Sequence, residues 1–123
     1  MSDTAYRVAS QQAEQPVTPA NHLILLGGVA LDAGDLTGAA AVYGQAKGDY
    51  EEAVADLMPL HPPAAWQRVQ TEEISAFNHL IRATTELEQA AQTNNAALRN
   101  AGLHQMDIAT SIIKRMTIEA PPQ

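Results

Sequence analysis

A regular spacing of apolar residues between positions 36 and 57 constrains the fold of this 123-residue chain more than any other feature. Apolar side chains recur there at alternating intervals of three and four residues, and the run passes Gly48 without a change of register. Its members are Leu36, Ala39, Tyr43, Ala46, Tyr50, Ala53 and Leu57. Because this interval places every member on one side of an α-helix, the sequence predicts one continuous helix of about 22 residues.

A turn signal lies just before this helix, and it predicts that another helix comes before the turn. Gly34 suits the left-handed position that follows a helix, and Asp35 can cap the next one. Residues 21–33 are apolar on every side, which predicts a segment buried all round, with a short strand as the alternative to a helix. Thr18-Pro19 is typical of a helix start, so a helix is favoured.

Two further helices are predicted after the prolines that end the 36–57 helix. Pro62-Pro63 favours the start of a helix that runs from Ala64 to about residue 92. Asn94-Asn95 predicts a turn before a last helix over about 96–117, with one long helix as the alternative. Short turns make sequence neighbours lie side by side. The sequence therefore predicts an all-α bundle of four or five helices, made of two antiparallel helical hairpins.

The predicted domain organisation is a single bundle with a tail at each end. Residues 1–21 are polar and interrupted by prolines, which predicts an arm that is partly disordered or forms a short helix. Residues 22–118 form the helical domain, and residues 119–123 are expected to be a disordered tail. The chain length fits one domain.

The core is expected to be thin, because only five of the residues are aromatic and alanine is abundant. Small side chains bury little area each, so the helices must approach one another closely. The residues expected to form the core are Leu26, Leu36, Ala39, Tyr43, Ala46, Tyr50, Leu57, Trp66, Phe77, Leu80, Leu98 and Ile112.

The charge balance bears on the class of partner. The formal charge is −7, and the acidic excess lies almost wholly in residues 1–62. A nucleic-acid partner is not expected, because such binding needs clustered cations. No apolar run is long enough for a membrane span, and no secretion signal is visible. A cytoplasmic location is therefore the default expectation, with a trimmed extracytoplasmic domain as the alternative.

The first hairpin resembles a tetratricopeptide repeat over residues 23–46. The matching positions are Leu23, Leu26-Gly27, Ala30, Gly34, Ala39, Tyr43 and Ala46. In that pattern Gly27 and Ala39 are small where the two helices cross, and Tyr43 fills the groove between them. The match departs from the family at Ala30 and Glu51, and it does not recur along the chain. A generic helical hairpin is the alternative, since a repeat fold needs about three copies.

The resemblance implies peptide binding on the inner face of the first helix, at Asn21, Ile24 and Val29. The sequence thus predicts a non-enzymatic module that binds a protein or peptide, and the acidic first half favours a partner of basic character. A self-associating structural subunit is the second hypothesis. The fully apolar first helix favours a homo-oligomer, because any part left uncovered would need a second copy.

A third hypothesis is a catalytic or small-molecule-binding bundle. It would need a pocket lined by polar groups from several helices, such as His79, His104 and Glu73. No two histidines have the spacing that puts metal ligands on one helical face. The sequence also lacks cysteine and any phosphate-cradling glycine pattern. No catalytic residue, metal ligand or cofactor is therefore predicted.

Overall fold

Five α-helices make up the computed structural model of the chain, which describes residues 1–121. They are α1 (Asp3–Ala13), α2 (Val17–Asp32), α3 (Leu36–Leu57), α4 (Ala64–Thr93) and α5 (Ala96–Glu119). The described residues contain no strand, so the all-α prediction is confirmed.

The observed ends of the helical domain differ from the predicted ones. The arm, residues 1–21, contains all of α1, and α2 already begins at Val17. Thr18-Pro19 was expected to cap α2, but Pro16 occupies the cap position and no side chain caps this helix. Of the predicted tail, Glu119 is the last residue of α5, while residues 122 and 123 lie outside the described residues.

Both predicted tight turns are present. Gly34 has a φ angle of +79°, and Asp35 Oδ1 accepts a hydrogen bond from the backbone N–H of Gly38 at 2.9 Å. Asn94 adopts the left-handed conformation with a φ of 50°, and Asn95 Oδ1 accepts from the backbone N–H of Leu98 at 3.2 Å. The asparagine pair therefore separates two helices, and the single-helix alternative is excluded.

The helices pack in chain order. Helix α2 packs on α3, α3 on α4, and α4 on α5. The short turns make each neighbouring pair antiparallel. In a closed four-helix bundle the first and last helices would also pack together. Here the backbones of α2 and α5 lie farther apart than those of the neighbouring pairs, and side chains such as Arg99 and Asp32 bridge the open side between them.

The centre of the core lies between α3 and α4. Tyr50 and Phe77 stack there with ring centroids 6.3 Å apart. Ala39, Ala46 and Ala53 on α3 have no exposed surface. Because these side chains are small, α2 and α4 can approach α3 closely from two sides.

Several residues predicted for the core are not buried. Leu26 is 43% exposed, and Leu36 and Leu98 are only partly buried. The predicted core residues that are buried are Ala39, Tyr43, Ala46, Tyr50, Leu57, Trp66, Phe77, Leu80 and Ile112. The expectation that α2 is covered on every side is therefore wrong. Helix α2 packs closely on α3, and its buried residues Ala20, Ile24 and Gly27 form one stripe.

Candidate interaction groove

The open side of the bundle forms a groove between α2 and α5. Two adjoining cavities occupy it, with volumes of about 330 and 300 Å³. Ile24 and Leu25 of α2 and Met106 of α5 line both cavities. The two cavities therefore form one continuous groove that runs along the helix axes.

The floor of the groove is made by α3 and α4. Tyr43 and Leu87 lie beneath the first cavity, and Tyr50 and Leu80 lie beneath the second. These four residues are nearly fully buried, so their positions are set by packing within the bundle. A rigid, apolar and aromatic floor of this kind is typical of sites that bind apolar ligands or helices.

The walls of the groove carry large apolar side chains that are exposed to solvent. Leu25 is 69% exposed and Val29 is 67% exposed on α2, while Leu103 is 44% exposed on α5. Contiguous exposed apolar surface on a folded chain marks an interaction site more often than isolated apolar residues do. The groove therefore has unburied surface on both walls.

Polar groups lie towards the two ends of the groove. At one end Arg99 Nη2 of α5 lies 2.8 Å from Asp32 Oδ1 of α2. Towards the other end the Tyr50 hydroxyl donates a hydrogen bond to Asn21 Oδ1. Burial raises the pKa of the Tyr50 hydroxyl above its ordinary range, so it remains a donor at neutral pH. The polar contacts connect α2 to α5 and to α3, and leave the middle of the groove apolar.

The structure places the three residues that the repeat resemblance implied for peptide binding along this groove. Asn21 and Ile24 line the second cavity, and Ile24 and Val29 line the first. The opposite wall, with Leu103, was missed by the sequence analysis. Its signal was the apolar residues Leu103 and Met106 within the predicted last helix, which were not named as partner-binding residues.

A buried carboxyl group lies elsewhere, where α1 docks on the bundle. Glu73 of α4 is 7% exposed. Burial, and then the hydrogen bond and charge of Glu14, raise the pKa of the Glu73 carboxyl far above its ordinary value. Burial, Glu73 and Glu14 also raise the pKa of Tyr6 to about 12. Burial and the neighbouring Glu14 therefore favour the protonated, neutral form of Glu73.

A second charged cluster holds the end of α5 on α4. Arg115 Nε lies 3.1 Å from Glu72 Oε1, and Arg68 Nη2 lies 3.2 Å from Glu119 Oε1. Both arginines are largely exposed. Every member has an oppositely charged partner, but the Oε2 atoms of Glu72 and Glu119 are buried without a hydrogen-bond partner.

The residues named for a catalytic pocket do not share one cavity. His79 lines a shallow cavity with Asn78 and Arg82, and its Nδ1 lies 2.7 Å from Gln105 Oε1. His104 is exposed and lines none of the cavities described above, and Glu73 is covered by α1. Within residues 1–121 no group of three metal-ligating His, Cys, Asp or Glu side chains is present.

The fold and the groove together define the chain as an all-helical bundle that is open along one side. None of the helices within residues 1–121 is both long enough and apolar enough to cross a membrane. Comparison of the chain with models of protein families, with curated proteins and with solved structures finds no match.

Proposed function

We propose that this chain is a non-enzymatic interaction module that holds an amphipathic helix of a protein partner in the groove between α2 and α5. The observation that supports the proposal is the separation of these two helices above a buried apolar floor. A helix placed there would supply the packing that a closed bundle has between its first and last helices.

Binding of a helix in the groove would be favourable because it would bury the exposed apolar side chains of the two walls. Fully burying an aliphatic side chain is worth about 1.5–3 kcal/mol, and Leu25, Val29 and Leu103 are available for this. Because the groove follows the axes of α2 and α5, it suits a rod with apolar residues at intervals of three and four. A partner helix of this kind would meet both walls and the floor together.

Charge around the groove favours a partner with basic flanks. The chain carries a formal charge of −7. Asp32, at one end of the groove, is paired with Arg99, so the attraction of a basic partner rests on the net charge of the chain and not on a free carboxylate at this site. Basic residues beside the apolar face of a partner would be attracted to this surface and would speed association.

The α2–α3 hairpin is proposed to be a divergent tetratricopeptide-like hairpin, with a generic hairpin as the alternative. Gly27 meets the ring of Tyr43 where the two helices cross, as the resemblance requires. In this proposal the inner face of α2, with Ile24 and Val29, is the surface that contacts the bound helix.

A selection from a library of amphipathic helical peptides displayed on phage tests the proposal. Binding of a selected, fluorescently labelled peptide is then measured by anisotropy. We expect Leu103→Glu to weaken binding by about tenfold or more, because it places a charge on the apolar wall. Ile118→Glu is the matched control, since Ile118 is an exposed residue of α5 that lines neither cavity of the groove.

A chemical block of the groove provides an independent check. The chain has no cysteine, so Val29→Cys with Leu103→Cys introduces the only two thiols, one on each wall. Joining them with a flexible bis-maleimide should abolish peptide binding without unfolding the bundle. The proposed function is wrong if no helical peptide is selected, or if the selected peptides bind the blocked and the open protein equally well.

A further inference from the structure

Helix α1 is held on the bundle by a small contact surface. Its buried residues are Tyr6, Ser10 and Ala13, and the others are exposed or partly buried. The Tyr6 ring packs on the Trp66 ring of α4, with the ring centroids 5.8 Å apart. Because an isolated helix of 11 residues is marginal in water, α1 depends on this contact for its helical form.

The contact between α1 and α4 also contains a pair of carboxyl groups. Glu73 of α4 is 7% exposed, and the side chain of Glu14, the residue that caps the C-terminal end of α1, forms a hydrogen bond with it. An ionised carboxylate can only accept hydrogen bonds, so this bond needs a proton on one of the two groups. The bond is therefore lost when both groups are ionised.

No positive charge compensates for this pair in the part of the chain that the structure describes. None of the ion pairs there includes Glu14 or Glu73, so α3 and α5 supply no cation to either group. The neighbouring titratable group on α1 is the Tyr6 hydroxyl, whose pKa is raised to about 12 by burial and by both glutamates. On α4 the adjacent Glu72 is paired with Arg115 of α5. Ionisation of the pair would therefore leave a buried, uncompensated negative charge, which is costly.

We propose that the Glu14–Glu73 pair makes the docking of α1 depend on pH, so that α1 is held on the bundle while the pair is protonated and is released when the pair is ionised. Release uncovers Trp66 and Val69, which form one apolar cluster with Tyr6. It is independent of the proposed function, because α1 lines neither cavity of the groove between α2 and α5.

The direction of the effect follows from the number of protons bound in each state. In the docked state the pair keeps a proton that a solvated glutamate loses above about pH 4.3. The released state therefore binds fewer protons, and its population grows as the pH rises from that value towards the raised pKa of the docked Glu73. A difference of one proton increases the equilibrium constant for release by at most about tenfold per pH unit.

Hydrogen exchange of the backbone amides of the full chain, between about pH 5 and pH 8, tests the release. We expect the hydrogen-bonded amides of α1 to have lower protection factors than those of α3, because α1 opens locally. The protection factors of α1 should fall with rising pH, by at most about tenfold per pH unit.

Two substitutions assign the effect to the carboxyl pair. In Glu73→Gln the protection of α1 should change little with pH, because an amide does not titrate. In Glu14→Gln the amide can donate to an ionised Glu73 carboxylate, so α1 should stay docked to a higher pH. Glu51→Gln removes the same charge from an exposed residue of α3 and should keep the native pH dependence.

Three results would overturn the inference. Equal protection factors in α1 and α3 would show that α1 opens only when the whole chain unfolds. Protection of α1 that does not fall as the pH rises would show that its docking is not linked to a proton. A pH dependence that is the same in Glu73→Gln as in the native protein would assign that proton to another group.

Discussion

Gly27 lies against the ring of Tyr43 so closely that a β-carbon at residue 27 would be 2.6 Å from the Cε1 and Cζ atoms of the tyrosine. No real side chain fits that space without movement of the ring. Tyr43 is 2% exposed and forms part of the groove floor, so the ring has little room to move. The contact sets the distance between α2 and α3, and with it the position of one wall of the groove.

The glycine pair of α2 provides a matched test of this contact. Gly27→Ala should lower the free energy of unfolding by about 1–3 kcal/mol, because it overpacks the helix crossing. Gly28→Ala meets open space and should raise it by about 0.5–1 kcal/mol, since alanine is the better helix former. Urea denaturation at one low protein concentration measures both. Equal effects of the two substitutions would contradict the close contact.

Removal of the tyrosine ring tests the same crossing from the other side. Tyr43→Ala should lower the free energy of unfolding by about 3–5 kcal/mol, as expected for loss of a large buried side chain. In that background Gly27→Ala should cost much less than in the native protein, because the ring it meets is gone. Near-native stability of Tyr43→Ala would show that the ring does not fill the core of the hairpin.

The hydrogen bond from the Tyr50 hydroxyl to Asn21 supports a third prediction. Asn21→Ala should destabilise the chain by about 1–3 kcal/mol, because it leaves the hydroxyl of a buried tyrosine without its acceptor. Tyr50→Phe removes the hydroxyl donor and also the cost of burying it, so it should destabilise the chain less than Asn21→Ala does. In a double-mutant cycle, additive effects would show that the two groups do not interact.

The buried Glu73 predicts how stability depends on pH. Burial and Glu14 raise the pKa of Glu73 in the folded state, so the native protein keeps a proton that the unfolded chain loses above about pH 4.3. Stability must then fall as the pH rises from that value towards the raised pKa of the folded state. Glu73→Gln should make this decline shallower and leave the protein more stable at neutral pH.

Thermal or urea unfolding between pH 4 and 8 measures this effect. Glu51→Gln is the control, because Glu51 is an exposed residue of α3 and should leave the slope unchanged. At the acid end Glu73→Gln and the native protein should have similar stabilities, since both then carry a neutral group. A parallel loss of stability at every pH would show that Glu73 is not the titrating group.

The features that could be predicted from sequence are those set by neighbouring residues. The spacing from Leu36 to Leu57 predicted an uninterrupted helix, and α3 is one helix through Gly48. Gly34 and Asn94 predicted turns because few residues adopt a left-handed backbone easily, and both do so here. Each of these outcomes depends on a few residues that are close in the chain.

The burial of α2 was predicted wrongly for a reason that applies generally. An apolar helix was assumed to be covered on every side, yet Leu25, Leu26 and Val29 are exposed. Burial of an apolar helix surface is favourable, but the apolar character of that helix does not show which other helix will cover it. Leu25 and Val29 stay uncovered because the backbone of α5 lies too far from α2 for close packing.

The amino-acid sequence by itself determined the helices, the turns between them and the antiparallel order of neighbours, because backbone preference and apolar spacing act within one or two helical turns. Only the tertiary structure decided that α2 and α5 stand apart and that Leu103 faces Val29 across a groove. The physical reason is that the angle and distance between two helices depend on contacts such as Gly27 with Tyr43. Small differences in the angle and distance at each contact add up over three successive helix pairs, and together they set the position of α5 relative to α2.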